Sequence, residues 1–171
     1  MAFTFLLGGA RSGKSALAVR TASSWNGSVV FVATGTAGDE EMAERIRRHR
    51  AERPAAWTTV EEPVQLHEVL RRVPTDACLL VDCISLWVAN LLEAGWQDDT
   101  IEEEAIAVAA TVASREALTL VVSNEVGLGV VPETPLGRRY RDVLGRVNAI
   151  FAEAASEPLL VVAGHKIRLE S

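Results

Sequence analysis

Gly8-Gly9-Ala10-Arg11-Ser12-Gly13-Lys14-Ser15 reads G-x-x-x-x-G-K-S, the pattern of a phosphate-binding loop. Its flanks suit that reading. Phe3-Thr4-Phe5-Leu6-Leu7 before it is a short apolar run fit for a buried strand, and Ala16 to Ala22 after it reads as a helix. Strand, glycine loop and helix together aim backbone N–H groups and a helix N-terminus at a polyphosphate. Gly8 and Gly13 allow backbone angles and close approaches that a Cβ blocks. Lys14 is expected on the β- and γ-phosphates, and the Ser15 hydroxyl on Mg²⁺. The bland alternative, a glycine-rich turn that happens to precede Lys-Ser, does not account for the whole motif in its expected context.

Working outward, Ser28 to Ala33 is a second strand candidate, followed by the loop Thr34-Gly35-Thr36-Ala37-Gly38. Ligands of an open parallel sheet sit beyond the carboxyl ends of strands, so Thr34 and Gly35 are expected to line a site. Trp57 to Glu61 is a short strand candidate, and Val64 to Val73 a short helix in which His67 takes a surface or boundary position. Ala77 to Asp82 is an apolar run ending in an acid. A carboxylate in that place faces Mg²⁺ directly or through water. Such a run is common alone, but paired with the glycine loop it gains weight.

Helices are expected over Ile84–Leu92, Asp98–Arg115 and Leu136–Ala155. Leu118 to Ser123 and Leu159 to Ala163 are further buried strands, and Lys166 to Leu169 alternates like an edge strand after the Gly164 turn. Apolar strands alternating with helices mark a largely parallel sheet covered on both faces. The expected fold is therefore α/β: a three-layer P-loop NTPase fold (RecA-like), as a single domain over residues 1–171 without repeat or linker.

Asp39 to Arg53 reads as a charged helix, with Asp39 as N-cap, Glu40 and Glu41 in the first turn, and Pro54 ending it. At about 100° per residue, Met42, Ile46, His49 and Arg53 share one sector. His49 thus belongs to the apolar stripe and points at protein or into a cleft. Spacing alone favours a packed histidine.

Composition narrows the field. The chain has 171 residues, enough for a proper core, and a formal net charge of −6, which argues for a soluble protein and against general nucleic-acid binding. No apolar run approaches the roughly 20 residues of a membrane helix, and Phe3–Leu7 is too short for a signal peptide. Cys78 and Cys83, five residues apart with no second pair, support neither a zinc site nor a disulfide framework, and reduced thiols are expected.

Taken together, the motifs resemble one family: the bifunctional adenosylcobinamide kinase/adenosylcobinamide-phosphate guanylyltransferases of cobalamin assembly. Leu7 to Ser15 looks like that family's phosphate loop, and Ala33-Thr34 follows the second strand in the same manner. Glu41 to Arg50, with Arg53-Pro54 and Trp57, resembles its histidine helix. Val81 to Leu92 resembles the next block. Asn124 to Glu133, Leu136 to Asp142 and Gly145 to Asn148 complete a likeness that runs almost end to end. Where family members can carry two adjacent histidines, this chain has Arg48 and His49, so His49 stands alone as nucleophile. His165 occupies a place where an apolar residue is expected.

The resemblance implies two reactions. A nucleotide γ-phosphoryl group, from ATP or GTP, passes to the aminopropanol hydroxyl of adenosylcobinamide. GMP from GTP then passes to adenosylcobinamide phosphate, releasing pyrophosphate. It implies that His49 carries GMP covalently, that Lys14 serves both steps, and that Mg²⁺ sits on Ser15 and Asp82. It places GTP at Gly8, Gly9, Ala10, Arg11, Ser12, Gly13, Lys14, Ser15, Ala33, Thr34, Gly35, Arg50, Ala51, Glu52, Arg53, Glu61 and Asp82. It also implies a cytoplasmic homo-oligomer, a trimer. Arg45, Arg47, Arg48 and Arg50 would disfavour protonation of His49 if close to it and would attract a triphosphate. The loop 124–133 is the expected place for the corrinoid, with a subunit contact as its alternative. The charged 39–53 helix is expected to move when GTP binds. The rival reading is a simple small-molecule or nucleoside monophosphate kinase without histidine chemistry. A GTP-binding switch fits less well, because no clear Asn-Lys-x-Asp run follows an apolar strand.

Overall fold

The computed structural model describes residues 3–51 and 53–170. Seven strands form one sheet: β1 (Phe3–Gly8), β2 (Val29–Ala33), β3 (Thr58–Glu61), β4 (Cys78–Asp82), β5 (Thr119–Asn124), β6 (Glu157–Val162) and β7 (His165–Arg168). Their order is β3-β2-β4-β5-β1-β6-β7. Every pairing is parallel except β6 with β7, a hairpin turned through Ala163 and Gly164 at positive φ. The helices are α1 (Lys14–Ser23), α2 (Glu40–Ala51), α3 (Leu66–Leu70), α4 (Ile84–Glu93), α5 (Asp98–Ala113) and α6 (Pro135–Ala154).

Side chains alternate across each strand, and both faces are apolar, as parallel sheets require. Phe5, Val30, Val32, Leu79, Val81 and Val121 face a core shared with α3 to α6, where Trp87, Leu91, Ile101 and Phe151 are fully buried. Leu6, Phe31, Leu80, Leu120 and Val122 face a second core with Ala18 and Ala22 of α1. Fully burying one such Leu or Phe contributes about 1.5–3 kcal/mol, which makes these two layers the chief stabilising feature. This is the expected α/β arrangement of three layers.

Two expectations need adjusting. The helix expected over Val64–Val73 is shorter, because the Glu62 carboxylate accepts from Val64 N and Gln65 N and holds them as a turn. At the other end Pro74 disfavours helical geometry at the residue before it. His165, at a place where an apolar residue is expected, opens β7 on the exposed edge opposite Val162, where a polar side chain meets water. His67 is a boundary residue, its Nε2 3.0 Å from Thr111 Oγ1. Both cysteines are free and buried, with burial pushing each thiol up to about 11.

Candidate active site

The glycine loop is shaped by backbone contacts. Arg11 and Gly13 take left-handed φ values of 58° and 95°. Ser12 N donates to Gly9 O at 3.2 Å, and Gly164 N donates to Ser12 O at 2.8 Å, so the β6–β7 turn buttresses the loop. Gly13 caps α1 and lies where a Cβ would come 3.4 Å from Gly164 Cα. Gly8 has no room at all: a Cβ there would meet Val161 O at 2.4 Å. Lys14 is 5 % exposed and reaches back over the loop, its Nζ donating to Gly9 O at 3.0 Å. That fold-back sets the ammonium inside the concave side of the loop, where backbone donors concentrate.

Parallel register gathers the remaining groups. Ala33 at the end of β2 stands level with Glu61 of β3 on one side and Asp82 of β4 on the other. Gly8 stands level with Asn124 of β5. Carboxyl ends of four strands, β2 to β5, therefore open on one pocket, lined by Lys14, Ser15, Ala33, Gly35, Met42, Ile46, His49, Arg53, Glu61, Asp82, Cys83, Leu86 and Asn124. A second cleft adjoins it, lined by Ala10 to Ala16, Glu41, Glu44, Arg48 and His49. Lys14, Ser15 and His49 belong to both.

Helix α2 forms one wall. Asp39 caps it, its Oδ1 accepting from Met42 N at 2.7 Å. The stripe expected from spacing faces the pocket through Met42, Ile46, His49 and Arg53. His49 therefore points into a cleft rather than into packed protein. No described residue of α2 is buried, so the helix rests lightly on the fold. Arg50 Nη2 pairs with Glu61 Oε1, tying α2 to the end of β3. Arg53 lies over the Phe31 ring at 3.6 Å, a cation–π contact. Burial lowers the Arg53 pKa; Asp82 opposes that and Arg50 adds to it. Its guanidinium remains a cation at any physiological pH. Arg47 pairs outward with Glu44, whereas Arg48 faces the loop cleft.

Beneath the pocket lies a polar network. Thr34 is fully buried: its hydroxyl donates to Cys83 O at 2.6 Å and accepts from Cys83 N at 2.9 Å. Asn90 Nδ2 donates to Thr34 O at 2.8 Å and to Pro63 O at 3.0 Å. Thr34 thus clasps the residue after Asp82, across a peptide bond that is cis. Cys83 Sγ lies 3.0 Å from Ser85 Oγ, which accepts from Asn124 Nδ2 at 2.8 Å. Tyr140 OH donates to Ser85 O, and burial pushes its pKa up to about 12.

The structure brings Lys14, Ser15, Ala33, Gly35, His49, Arg53, Glu61 and Asp82 to one pocket, and Ala10, Arg11, Ser12 and Gly13 to the adjoining cleft. Gly9 is exposed in the loop, and Gly8 is buried beneath it. Thr34 lies under the pocket, Arg50 beside it on Glu61, and Ala51 is exposed. Glu52 lies outside the described residues. Sequence reasoning did not single out Ser85, Asn90 or Asn148. Their one signal was a polar residue within otherwise apolar helical stretches. Ser15 and Asp82 supply a hydroxyl and a carboxylate oxygen to the same pocket, the hard donors Mg²⁺ prefers, and they leave its remaining positions for water and phosphate.

The profile of the family described as cobinamide kinase / cobinamide phosphate guanyltransferase matches residues 4–169. The chain is 44 % identical over 160 residues to the bifunctional adenosylcobalamin biosynthesis protein CobP of Pseudomonas aeruginosa, a match spanning 93 % of this chain and 92 % of that one. It is 38 % identical over 176 residues to the bifunctional adenosylcobalamin biosynthesis protein CobU of Escherichia coli, spanning 95 % and 97 % respectively. Among solved structures it is similar to a protein of Pyrococcus horikoshii, with a TM-score of 0.59 at 11 % identity over 99 % of this chain and 86 % of that one. An ATPase of a bacterial type III secretion system gives 0.53 at 10 % identity, over 93 % of this chain and 50 % of that one. At such identities these two structures speak for the phosphate-loop α/β fold alone.

Proposed function

The chain belongs to the cobinamide kinase / cobinamide phosphate guanyltransferase family and is a bifunctional enzyme of adenosylcobalamin biosynthesis; from that premise we propose how its residues divide the two reactions. The observation behind the proposal is that His49 borders both the loop cleft and the pocket at the strand ends, together with Lys14 and Ser15. One triphosphate on the loop can then serve two chemistries, at its γ end for the kinase and at its α end for the guanylyltransferase.

In the kinase reaction the hydroxyl of the aminopropanol arm attacks γ-phosphorus of ATP or GTP, and the nucleoside diphosphate leaves. Lys14 and the loop N–H groups hold the phosphates in place and offset their charge. Ser15 and Asp82 would hold Mg²⁺, which when bound neutralises charge on the β- and γ-oxygens. In the second reaction a neutral ring nitrogen of His49 attacks α-phosphorus of GTP. The bond from α-phosphorus to the pyrophosphate oxygen breaks. The phosphate of adenosylcobinamide phosphate then attacks the same phosphorus and breaks the N–P bond, giving adenosylcobinamide-GDP. Dividing the transfer into two displacements is what a covalent histidine contributes.

Ala33, Gly35, Arg53 and Glu61 frame the nucleotide beyond the phosphates, with Thr34, Arg50 and Ala51 around them. Arg48 draws the triphosphate toward the loop cleft. Because α2 has no buried described residue, it is the element that moves as GTP binds. The corrinoid rests on the loop 124–133, whose Leu128, Val130 and Val131 are exposed. We place the enzyme in the cytoplasm, as one domain assembling into a homotrimer. No helix among the described residues is long and apolar enough to cross a membrane.

Mass spectrometry after incubation with GTP and Mg²⁺ tests the histidine. A GMP-sized adduct on His49 that disappears in mild acid, and is absent from His49→Ala, is the expected result. His49→Ala should retain the kinase reaction. Absence of the adduct from folded, GTP-binding protein would leave the simple kinase as the better reading of the pocket.

A further inference from the structure

Two side chains of the pocket carry a buried polar atom with no hydrogen-bond partner among the described residues, Arg53 Nε and Asn124 Oδ1, and of these only the second is an acceptor. Asn124 ends β5, the strand between β1, which leads into the glycine loop, and β4, which ends in Asp82. It stands level with Gly8 and lines the pocket beside Lys14, Ser15 and Asp82. Its orientation is set from below. Nδ2 donates to Ser85 Oγ at 2.8 Å, and its main-chain oxygen accepts from Asn148 Nδ2 at 3.0 Å. Asn148 is held in turn by the Ser123 hydroxyl at 2.7 Å. Only the side-chain oxygen is left: Asn124 Oδ1 is buried with no hydrogen-bond partner among the described residues.

A buried acceptor without a donor is costly, and the group that satisfies it must bring an O–H or N–H. Ionised phosphate oxygens bring neither. An alcohol does, and so does the water it displaces. We propose that Asn124 receives the alcohol of the phosphorylation step, its Oδ1 accepting the hydrogen bond from the substrate hydroxyl and turning that oxygen toward γ-phosphorus. The inference rests on the phosphoryl-transfer reading of the pocket given above. The alcohol oxygen forms the new O–P bond. The bond from γ-phosphorus to its bridging oxygen breaks, and the nucleoside diphosphate leaves with the electron pair. The alcohol proton passes to water, because an amide oxygen orients a proton at neutral pH without removing it. The second reaction has a phosphate ester as its acceptor and no alcohol at this point. Asn124 therefore separates the two half-reactions.

The test is Asn124→Ala with three readouts: phosphorylation of cobinamide, the GMP adduct from GTP alone, and the Kd of a non-hydrolysable GTP analogue. Loss of orientation lowers kcat/KM for cobinamide by about 10–100-fold. The adduct yield and the nucleotide Kd stay within about twofold, since neither involves the alcohol. Should Asn124→Ala fail to fold, Asn124→Ser, whose hydroxyl sits one bond from Cβ and so falls short of the place of Oδ1, is read in the same way. An unchanged kinase reaction, or a parallel loss in every readout, overturns the proposal. If wild-type protein forms no adduct, the His49 assignment fails by itself, and the kinase rate against nucleotide Kd still decides Asn124.

Discussion

Thr34→Val exchanges a hydroxyl for a methyl of similar size at a fully buried position between β2 and β4. The hydroxyl makes two hydrogen bonds to Cys83, donating to its carbonyl at 2.6 Å and accepting from its N–H at 2.9 Å. The two losses are unequal. Cys83 O keeps a second donor, Trp87 N at 3.2 Å, so its loss amounts to one ordinary hydrogen bond, about 1 kcal/mol. Cys83 N has no other protein partner among the described contacts, and leaving it buried and unpaired costs about 1–3 kcal/mol. The sum is about 2–4 kcal/mol. For a chain of this length that corresponds to a fall in Tm of roughly 4–16 °C. Urea unfolding gives the free energy, and an unchanged m value would locate the loss in the folded state. Thr34→Ser keeps the hydroxyl and should recover most of it. Because the clasped residue follows Asp82, the valine variant should also need more Mg²⁺ for half-maximal activity. A loss below about 0.5 kcal/mol, the range of an ordinary surface substitution, would refute the argument that this hydroxyl holds the Asp82–Cys83 corner.

Gly8→Ala should destabilise by about 1–3 kcal/mol and weaken GTP binding, because the new Cβ meets Val161 O at 2.4 Å and backbone cannot swing aside. Gly9→Ala, with open space around it, should leave the melting temperature unchanged. Equal melting temperatures for the two variants would contradict this. Burial raises the thiols of Cys78 and Cys83 from 9.0 to about 11. Between those values the unfolded chain loses protons that the folded chain keeps. The stabilisation is therefore whole below about pH 9 and is lost as the pH rises toward 11. Tyr140, pushed up to about 12, extends the same trend. Urea midpoints at pH 8, 9 and 10 should fall in that order, and a flat or rising series would show that thiol burial does not govern alkaline stability.

Much of the site was legible because its motifs are local. The glycine loop depends on neighbours only a few residues away, and Asp39 capping Met42 N is read from one turn of helix. The stripe Met42, Ile46, His49 and Arg53 follows from helical period alone, although whether it met packed core or a cleft did not. Family likeness tipped that choice toward chemistry, and the structure places the stripe on the pocket wall. Thr34 illustrates the opposite case. Its position after β2 pointed to the site, but the partner that occupies its hydroxyl is 49 residues away. In the sequence Asn124 stands at the start of a loop, and nothing in its neighbours announces an unpaired oxygen.

The amino-acid sequence by itself determined the kinds of elements and their order, because apolar runs, glycines and capping residues act over a few residues at a time. Only the tertiary structure decided which strand ends stand side by side. Placing β5 between β1 and β4 sets Asn124 between the glycine loop and Asp82, and parallel register sets Glu61 and Asp82 level with Ala33. Hydrogen bonds between strands distant in the chain make those choices, and they are settled by burying two apolar faces at once rather than by any one segment.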